Sequence, residues 1–193
     1  MALIDSKENV NQENKKYKIR EKDQDLNDHR YRLFKRAQHL LKRALALEGL
    51  ESETKIEGQL VLAQVSLLQG DLDEAWQQVT DTLEEARRYE LIWEPARAQS
   101  LMGSILAAQG HLQQAVQYFE NAMQVFHNCG MRLEYARTLH SYGVSLLEHA
   151  GTEQKSYQQG LSFLREARQI FHECGAALDL DWIEHEIAFR EGS

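Results

Sequence analysis

Apolar residues recur every three to four positions from about Tyr31 onward, and polar residues fill the positions between them. This period matches the turn of an α-helix and predicts a series of amphipathic helices. Residues 1–28 lack such a period and are rich in Lys, Asn, Gln, Glu and Asp. We expect residues 1–28 to form a flexible polar tail, because they offer too little apolar surface to order themselves. Residues 29–193 are expected to form one helical domain.

The helical pattern repeats with a period near 40 residues. Residues 70–75 (GDLDEA) align with residues 110–115 (GHLQQA), and residues 156–160 (SYQQG) follow 45 positions later. Two helices approach each other closely only where the side chains between them are small. Small residues recur at matching points of both helices in each unit, which predicts three antiparallel hairpins. The small residues expected to face each other are Ala63 and Ala75 in the first hairpin, Gly103 and Ala115 in the second, and Gly143 and Gly160 in the third.

The residues at the helix ends support this division. Gly130 and Gly175 each follow a helix and can take the left-handed conformation that closes it. Pro95 stands where the first turn of a helix tolerates a missing N–H group. Residues 151–156 are predicted to be an insertion in a turn. The expected architecture is all-α, an α-solenoid of three hairpins preceded by a helix over 31–48 and followed by a helix over 181–190.

These hairpins resemble the tetratricopeptide repeat family. In that family the first helix of each hairpin carries a large residue and then Gly or Ala, and the second carries Ala, an aromatic residue and Ala. The copy that fits best contains Met102, Gly103, Ala115, Phe119 and Ala122. The resemblance covers residues 34–190, and the period of about 40 is similar to that of kinesin light chains and of bacterial regulators with helical-repeat sensor regions. It implies a right-handed superhelix whose concave groove is lined by the first helix of each hairpin.

The resemblance also implies a set of groove residues. They occupy equivalent positions of successive first helices: Arg97, Ser100, Ser104, Arg137, His140, Trp182 and His185. The ninth position lacks the Asn of the family's co-chaperone branch, so the full carboxylate clamp of that branch is not expected. Trp182 either stacks on a ligand or makes a packing contact.

Two interpretations of the groove arginines stay open. Arg97 and Arg137 bind the carboxylates of an acidic peptide, because a guanidinium offers paired donors to a carboxylate. Alternatively, these arginines pair with acidic residues of the chain itself, for which Glu94, Glu134 and Asp181 are the candidates.

Metal and catalytic motifs are incomplete in this sequence. His127 with Cys129 and His172 with Cys174 have zinc-ligand chemistry, but they belong to successive repeats, where equivalent atoms are expected to stand about 10 Å apart. We interpret both cysteines as small buried residues. The pair His185-Glu186 lacks the second His of a metalloprotease helix, and no glycine-rich phosphate loop is present. We predict no enzymatic activity, no metal and no cofactor.

Composition narrows the class of protein further. Apolar residues make up 42% of the 193 residues, which excludes disorder throughout, and the chain has two cysteines, too few for a disulfide framework. No stretch approaches the 18 apolar residues of a membrane span, and the first residues turn polar too soon for a signal peptide. These features predict a cytoplasmic protein without membrane contact.

Charge is unevenly distributed along the chain. The net charge is −8; residues 15–43 carry 11 basic and 4 acidic side chains, whereas residues 44–193 carry 10 basic and 23 acidic ones. An acidic body does not predict nucleic-acid binding. Three alternatives remain for the basic segment: a solvated tail, docking onto the chain's own body, or a homodimer through residues 15–43. One face of residues 31–48 is expected to cap the first hairpin: Leu33, Phe34, Ala37, Leu40, Leu41, Ala44 and Leu47.

The predicted function is a non-enzymatic protein–protein interaction scaffold that binds a peptide or a helix of a partner protein in its groove. The alternative is a sensor or regulatory segment of a bacterial-type signalling or transcription-control system that switches on a small ligand or acts through self-association. The sequence does not identify the partner.

Overall fold

The computed structural model describes residues 29, 31–151 and 153–191. Within them the chain forms eight α-helices and no strand, which confirms the all-α prediction. The first helix, α1, covers residues 31–45. The others are α2 (Ser52–Gln69), α3 (Leu72–Arg88), α4 (Glu94–Ala108), α5 (Leu112–Asn128), α6 (Arg132–His149), α7 (Gln154–Cys174) and α8 (Ala177–Glu191). The predicted tail of residues 1–28 lies outside the described residues.

Consecutive helices pack as antiparallel neighbours. The closest pairs are α2 with α3, α4 with α5 and α6 with α7, as predicted for the three hairpins. Helices two apart also touch, since α4 contacts both α2 and α6. The first helix lies beside α2, where the Leu45 side chain packs over Gly58. None of the described helices combines the length and the apolar character needed to cross a lipid bilayer.

Small residues allow α6 and α7 to approach closely. A Cβ atom on Gly143 would stand 2.9 Å from the carbonyl oxygen of Gly160, and a Cβ atom on Gly160 would stand 2.9 Å from the carbonyl oxygen of Gly143. The predicted facing of these two glycines is therefore confirmed. In the α4–α5 hairpin, Gly103 lies against the ring of Phe119, 3.0 Å from where its Cβ would be. The backbones of α6 and α7 are close because no side chain separates them, whereas in the α4–α5 hairpin the Phe119 ring fills the space over Gly103.

Glycine closes α5 and α7 as predicted. Gly130 and Gly175 adopt left-handed φ angles of 69° and 67°. After α5, the N–H of Met131 donates to the carbonyl oxygen of Phe126 at 2.9 Å, the hydrogen bond that typically accompanies a left-handed cap. Pro95 is the second residue of α4, where its missing N–H group costs no hydrogen bond.

The insertion near residue 151 lengthens a helix and is not confined to the turn. The α7 helix begins at Gln154 and has 21 residues, whereas α3 and α5 have 17 each. The prediction that residues 154–156 belong to the turn is wrong, because they form the start of α7. They continue the helix because they contain neither Pro nor Gly.

The core runs through the layer between successive hairpins. Tyr142 of α6 stacks on Phe119 of α5 at a centroid distance of 5.0 Å and meets Phe163 of α7 at the same distance. The largest fully buried apolar side chains are Phe119, Phe126, Phe171, Ile56, Ile105, Leu139, Leu164, Ile183 and Val79.

The predicted cap formed by α1 is only half correct. Phe34, Ala37 and Leu41 are half-buried. Leu33 and Leu40 expose 52% and 53% of their surface, and Ala44 and Leu47 are exposed as well. The apolar face of α1 is wider than its contact with the neighbouring helices, so one edge of that face remains in solvent.

Candidate functional site

The candidate residues lie on α4, α6 and α8, starting with Arg97 on α4. Its Nη1 atom is 3.2 Å from Oε1 of Glu57 on α2, and its Nε atom is 3.6 Å from Oε2 of Glu134 on α6. One guanidinium group therefore joins three helices. The carboxylates approach it from both sides, because α4 contacts α2 and α6.

Arg137 on α6 continues this arrangement to α8. Its Nε and Nη2 atoms donate to the two oxygens of Asp179 at 2.9 and 3.0 Å, and its Nη1 atom donates to Glu134 at 2.8 Å. The hydrogen bond that Arg137 donates to Asp179 is the main reason that the pKa of Arg137 is raised. We call the chain Glu57, Arg97, Glu134, Arg137 and Asp179 the ion-pair ladder.

The ion-pair ladder shows that both groove arginines pair with acidic residues of the chain itself. Both are paired within the chain, and Glu134 is one of the three partners named from the sequence. The other two candidates are wrong. Glu94 is buried, and its Oε2 atom has no hydrogen-bond partner among the described residues, while Asp181 lies beside His185. The remaining ladder carboxylates, Glu57 and Asp179, were not anticipated.

Ser100 and Ser104 of α4 differ in their contacts. Oγ1 of Thr138 on α6 and Oγ of Ser100 are hydrogen-bonded at 3.1 Å, so Ser100 takes part in the α4–α6 contact. Ser104 donates its hydroxyl to the carbonyl oxygen of Ser100 at 3.2 Å, within its own helix. The sequence does not distinguish these two situations, because the partner of Ser100 is 38 residues away.

His140 of α6 lies largely out of solvent. Burial lowers its pKa, because the charged imidazolium loses hydration there. The carboxylates of Glu186 and Asp179 act in the opposite direction. His140 is therefore part of the same acidic and basic surroundings as the ladder, at the junction of α6 and α8.

Trp182 and His185 lie on the solvent-exposed side of α8. Trp182 exposes 69% of its surface, so it is not a core residue. Asp179 and Trp182 are three residues apart and share one side of the helix, which places Trp182 beside the carboxylate that holds Arg137. His185 is exposed, and its Nδ1 atom is 2.7 Å from the carbonyl oxygen of Asp181.

Leu178 is a neighbour of Trp182 that the sequence interpretation missed. It exposes 84% of its surface and precedes Trp182 by four residues. The signal that could have identified it was the spacing itself, since residues four apart on a helix are neighbours. Together, Leu178 and Trp182 form an apolar surface on α8 beside the Asp179 end of the ion-pair ladder.

The cysteines do not fill buried positions. Cys129 and Cys174 are both exposed, contrary to the expectation that they are small buried residues. Each lies at the solvent-facing end of a helix, and packing does not explain its identity. Across residues 29, 31–151 and 153–191, no group of three or more His, Cys, Asp or Glu side chains is placed to hold a metal ion.

A second charged cluster joins α2 and α3. Lys55 Nζ donates to Glu85 at 2.8 Å, and the amide of Gln59 donates to the same carboxylate at 2.9 Å. These bonds, the one from Lys55 first, lower the pKa of Glu85. A shallow depression of about 500 Å³ adjoins this cluster, and it is lined by Asp81, Glu84, Glu85, Arg88 and Tyr89. None of the seven candidate residues lines it.

No protein-family model matches this chain, and no curated protein is similar to it.

Proposed function

We propose that the chain is a tetratricopeptide-like α-solenoid that serves as a non-enzymatic interaction scaffold. In this proposal α2, α4, α6 and α8 line a groove that receives a peptide or a helix of a partner protein. The 40-residue period, the three hairpins and the contacts of α4 with both α2 and α6 support the solenoid. The observation that carries the binding proposal is the exposed pair Leu178 and Trp182, which lies next to the end of the ion-pair ladder.

The charges of the face indicate the kind of partner. The ladder contains three carboxylates and two guanidinium groups, and the arginines are already paired. An incoming carboxylate would have to displace one of the ladder's own. A partner with an apolar anchor and basic flanking residues fits better, because it packs on Trp182 and meets the acidic side chains of α8. Buried aromatic anchors typically dominate the binding energy of such interfaces.

A second candidate function is a regulatory segment that acts through self-association. The observation that favours it is the exposed apolar edge of α1, which offers a second contact surface on the same chain.

A peptide-display selection tests the scaffold proposal. Peptides enriched on the wild-type chain are measured by fluorescence anisotropy against Trp182→Ala, with Tyr89→Ala as the control for loss of an exposed aromatic side chain at the far end of α3. We expect Trp182→Ala to weaken binding by about tenfold or more, the range of a central aromatic anchor. Tyr89→Ala should leave binding unchanged. Peptides that bind all three chains equally would place the binding surface elsewhere.

Charge reversal tests the arginines separately. The double variant Arg97→Glu and Arg137→Glu is compared with Arg87→Glu and Arg168→Glu, which carry the same change of charge on exposed positions of α3 and α7. Only the first pair breaks the ladder that positions the α6 and α8 side chains. Equal binding by both double variants would exclude the arginines from the site.

A further inference from the structure

The exposed edge of α1 is a regular apolar stripe. Leu33 and Leu40 are seven residues apart in α1, a span of about 10 Å at 1.5 Å per residue, and Leu47 follows in the turn after the helix. The first two side chains are half exposed and Leu47 exposes 65% of its surface. Arg36 and Arg43 stand three residues after the first two leucines, so they flank the stripe on one side. Both arginines are exposed.

The solvent-exposed side of α8 also carries an apolar stripe. Leu178, Trp182, His185 and Phe189 succeed one another at intervals of four, three and four residues, the spacing of one helix side. Phe189 exposes 66% of its surface, and the guanidinium carbon of Arg190 lies 5.6 Å from its ring centroid. The stripe extends over about 16 Å.

The two helices have opposite charge. Residues 31–45 contain five Lys and Arg and no acidic residue, whereas residues 177–190 contain four acidic residues and one Arg. Pairing two copies of α1, or two copies of α8, would bring like charges together. Pairing α1 with α8 brings Arg36 and Arg43 toward the acidic residues of α8 around two apolar stripes, whereas Lys35 and Lys42 pair with Asp71 and Glu74 of the same chain. Electrostatic complementarity selects the partner in this way in many interfaces.

We infer that α1 of one copy of this chain packs against α8 of a second copy, in a head-to-tail contact. This inference rests on the proposed function, because the proposed groove receives a helix and we infer that α1 of a second copy is the helix that binds at its α8 end. A single helix pair buries less than the roughly 1,200 Å² of a standard stable interface, so the contact is weak and concentration-dependent. Because the two surfaces differ, each copy retains one open surface, and association continues into chains or closes into rings.

Two pairs of alanine substitutions test the contact without changing the charge. Leu33→Ala with Leu40→Ala removes the α1 stripe, and Leu178→Ala with Trp182→Ala removes the α8 stripe. Leu68→Ala with Ile92→Ala is the matched control, because these side chains are exposed elsewhere. Mass is measured by sedimentation velocity and light scattering from about 10 μM to 1 mM, at low and high salt. Circular dichroism verifies that each variant is folded.

We expect the mass of the wild type and of the control to rise with concentration and to fall with salt, since ionic strength screens the charges between the helices. Each stripe variant alone should remain monomeric. A mixture of the two stripe variants should form dimers and nothing larger, because the intact α8 of one chain meets the intact α1 of the other.

Three outcomes would overturn the inference. The first is a wild type that is monomeric at every concentration. The second is a mixture that stays monomeric although each stripe variant lost association, which would show that an intact α1 and an intact α8 are not sufficient for the contact. The third is association that persists in both stripe variants, as expected for exchange of residues 15–28, which lie outside the described residues. Peptide binding distinguishes the two proposals, because Leu33→Ala with Leu40→Ala should keep the peptide affinity of the wild type whether or not it associates.

Discussion

The close approach of α6 and α7 predicts a specific cost for adding one methyl group. In Gly143→Ala the new Cβ atom would stand 2.9 Å from the carbonyl oxygen of Gly160 and 3.0 Å from Leu164 Cδ2. A carbonyl oxygen within a helix cannot rotate away, so the helices must separate. Overpacking of this kind costs about 1–3 kcal/mol. Because the contact is rigid, we expect the overpacking cost of Gly143→Ala to lie near the upper end of this range. The higher helix propensity of Ala offsets about 1 kcal/mol of that cost.

The expected net result is a loss of about 2 kcal/mol in the free energy of unfolding, taken as the difference between these two terms. For a chain of this size that loss corresponds to a decrease of about 4–8 °C in Tm. Urea and thermal unfolding followed by circular dichroism measure both quantities. Gly58→Ala is the matched control, because its Cβ would meet only Leu45 Cδ2, at 2.8 Å, the end of a flexible side chain. We expect Gly58→Ala to be neutral or to stabilise by up to about 1 kcal/mol.

A double-mutant cycle extends this prediction. In Gly160→Ala the new Cβ atom would stand 2.8 Å from Leu147 Cγ and 2.9 Å from the carbonyl oxygen of Gly143. Once the helices have separated for one methyl group, the second costs less, so the two effects should be less than additive. Stabilisation of Gly143→Ala to the same extent as Gly58→Ala would refute the reasoning, because propensity alone would then account for both.

Three further predictions concern charge, pH and a turn. The pair Arg137 and Asp179 should show a coupling of about 0.5–1 kcal/mol in a double-mutant cycle, as for half-exposed ion pairs, and less in 0.5 M salt; no coupling at low salt would contradict the observed geometry. Burial lowers the pKa of His140, and the carboxylates of Glu186 and Asp179 oppose this effect. As the pH falls, His140 therefore takes up its proton in the unfolded state before it does so in the folded state. The free energy of unfolding should decrease below about pH 6.5, by about 1.4 kcal/mol for each unit by which the pKa differs between the two states. Urea titrations at pH 7.5 and 5.5 should therefore show a smaller acid loss for His140→Gln than for the wild type, and an equal loss would argue against the buried position. Gly175→Ala should lower stability by about 1–2 kcal/mol, because its left-handed φ of 67° disfavours a Cβ atom although the space around it is open; an unchanged Tm would contradict this reason.

Local patterns were sufficient to predict that the chain is helical, but the helices predicted over 31–48 and 181–190 cover 31–45 and Ala177–Glu191. The spacing of apolar residues predicted the helices, and Gly130 and Gly175 predicted where two of them close. The facing of Gly143 and Gly160 was also predictable, because small residues at matching points of a hairpin have one evident packing role. The error at residues 151–156 has the same origin. Residues inserted between two helices can lengthen a turn or a helix, and the register of the repeat does not decide between them.

The candidate site was predictable only as a set of positions. The sequence selected Arg97 and Arg137, but the carboxylates that hold them, Glu57 and Asp179, are 40 and 42 residues away. Several acidic residues near each arginine in sequence were equally plausible partners. One of them, Glu94, is buried instead, and its Oε2 atom has no hydrogen-bond partner among the described residues. Which acidic side chain reaches a guanidinium depends on how neighbouring hairpins are offset, and no local pattern records that offset.

The sequence by itself determined that this chain forms amphipathic helices in a repeated hairpin order, because the 3.6-residue period and the small contact residues act within each hairpin. Only the tertiary structure decided how much of each apolar face is covered. Phe34 and Leu33 are adjacent in α1 and both apolar, yet one is half-buried and the other is exposed. An amphipathic pattern specifies the direction of a face, whereas the width of its burial is set by the surface of the helices that pack against it.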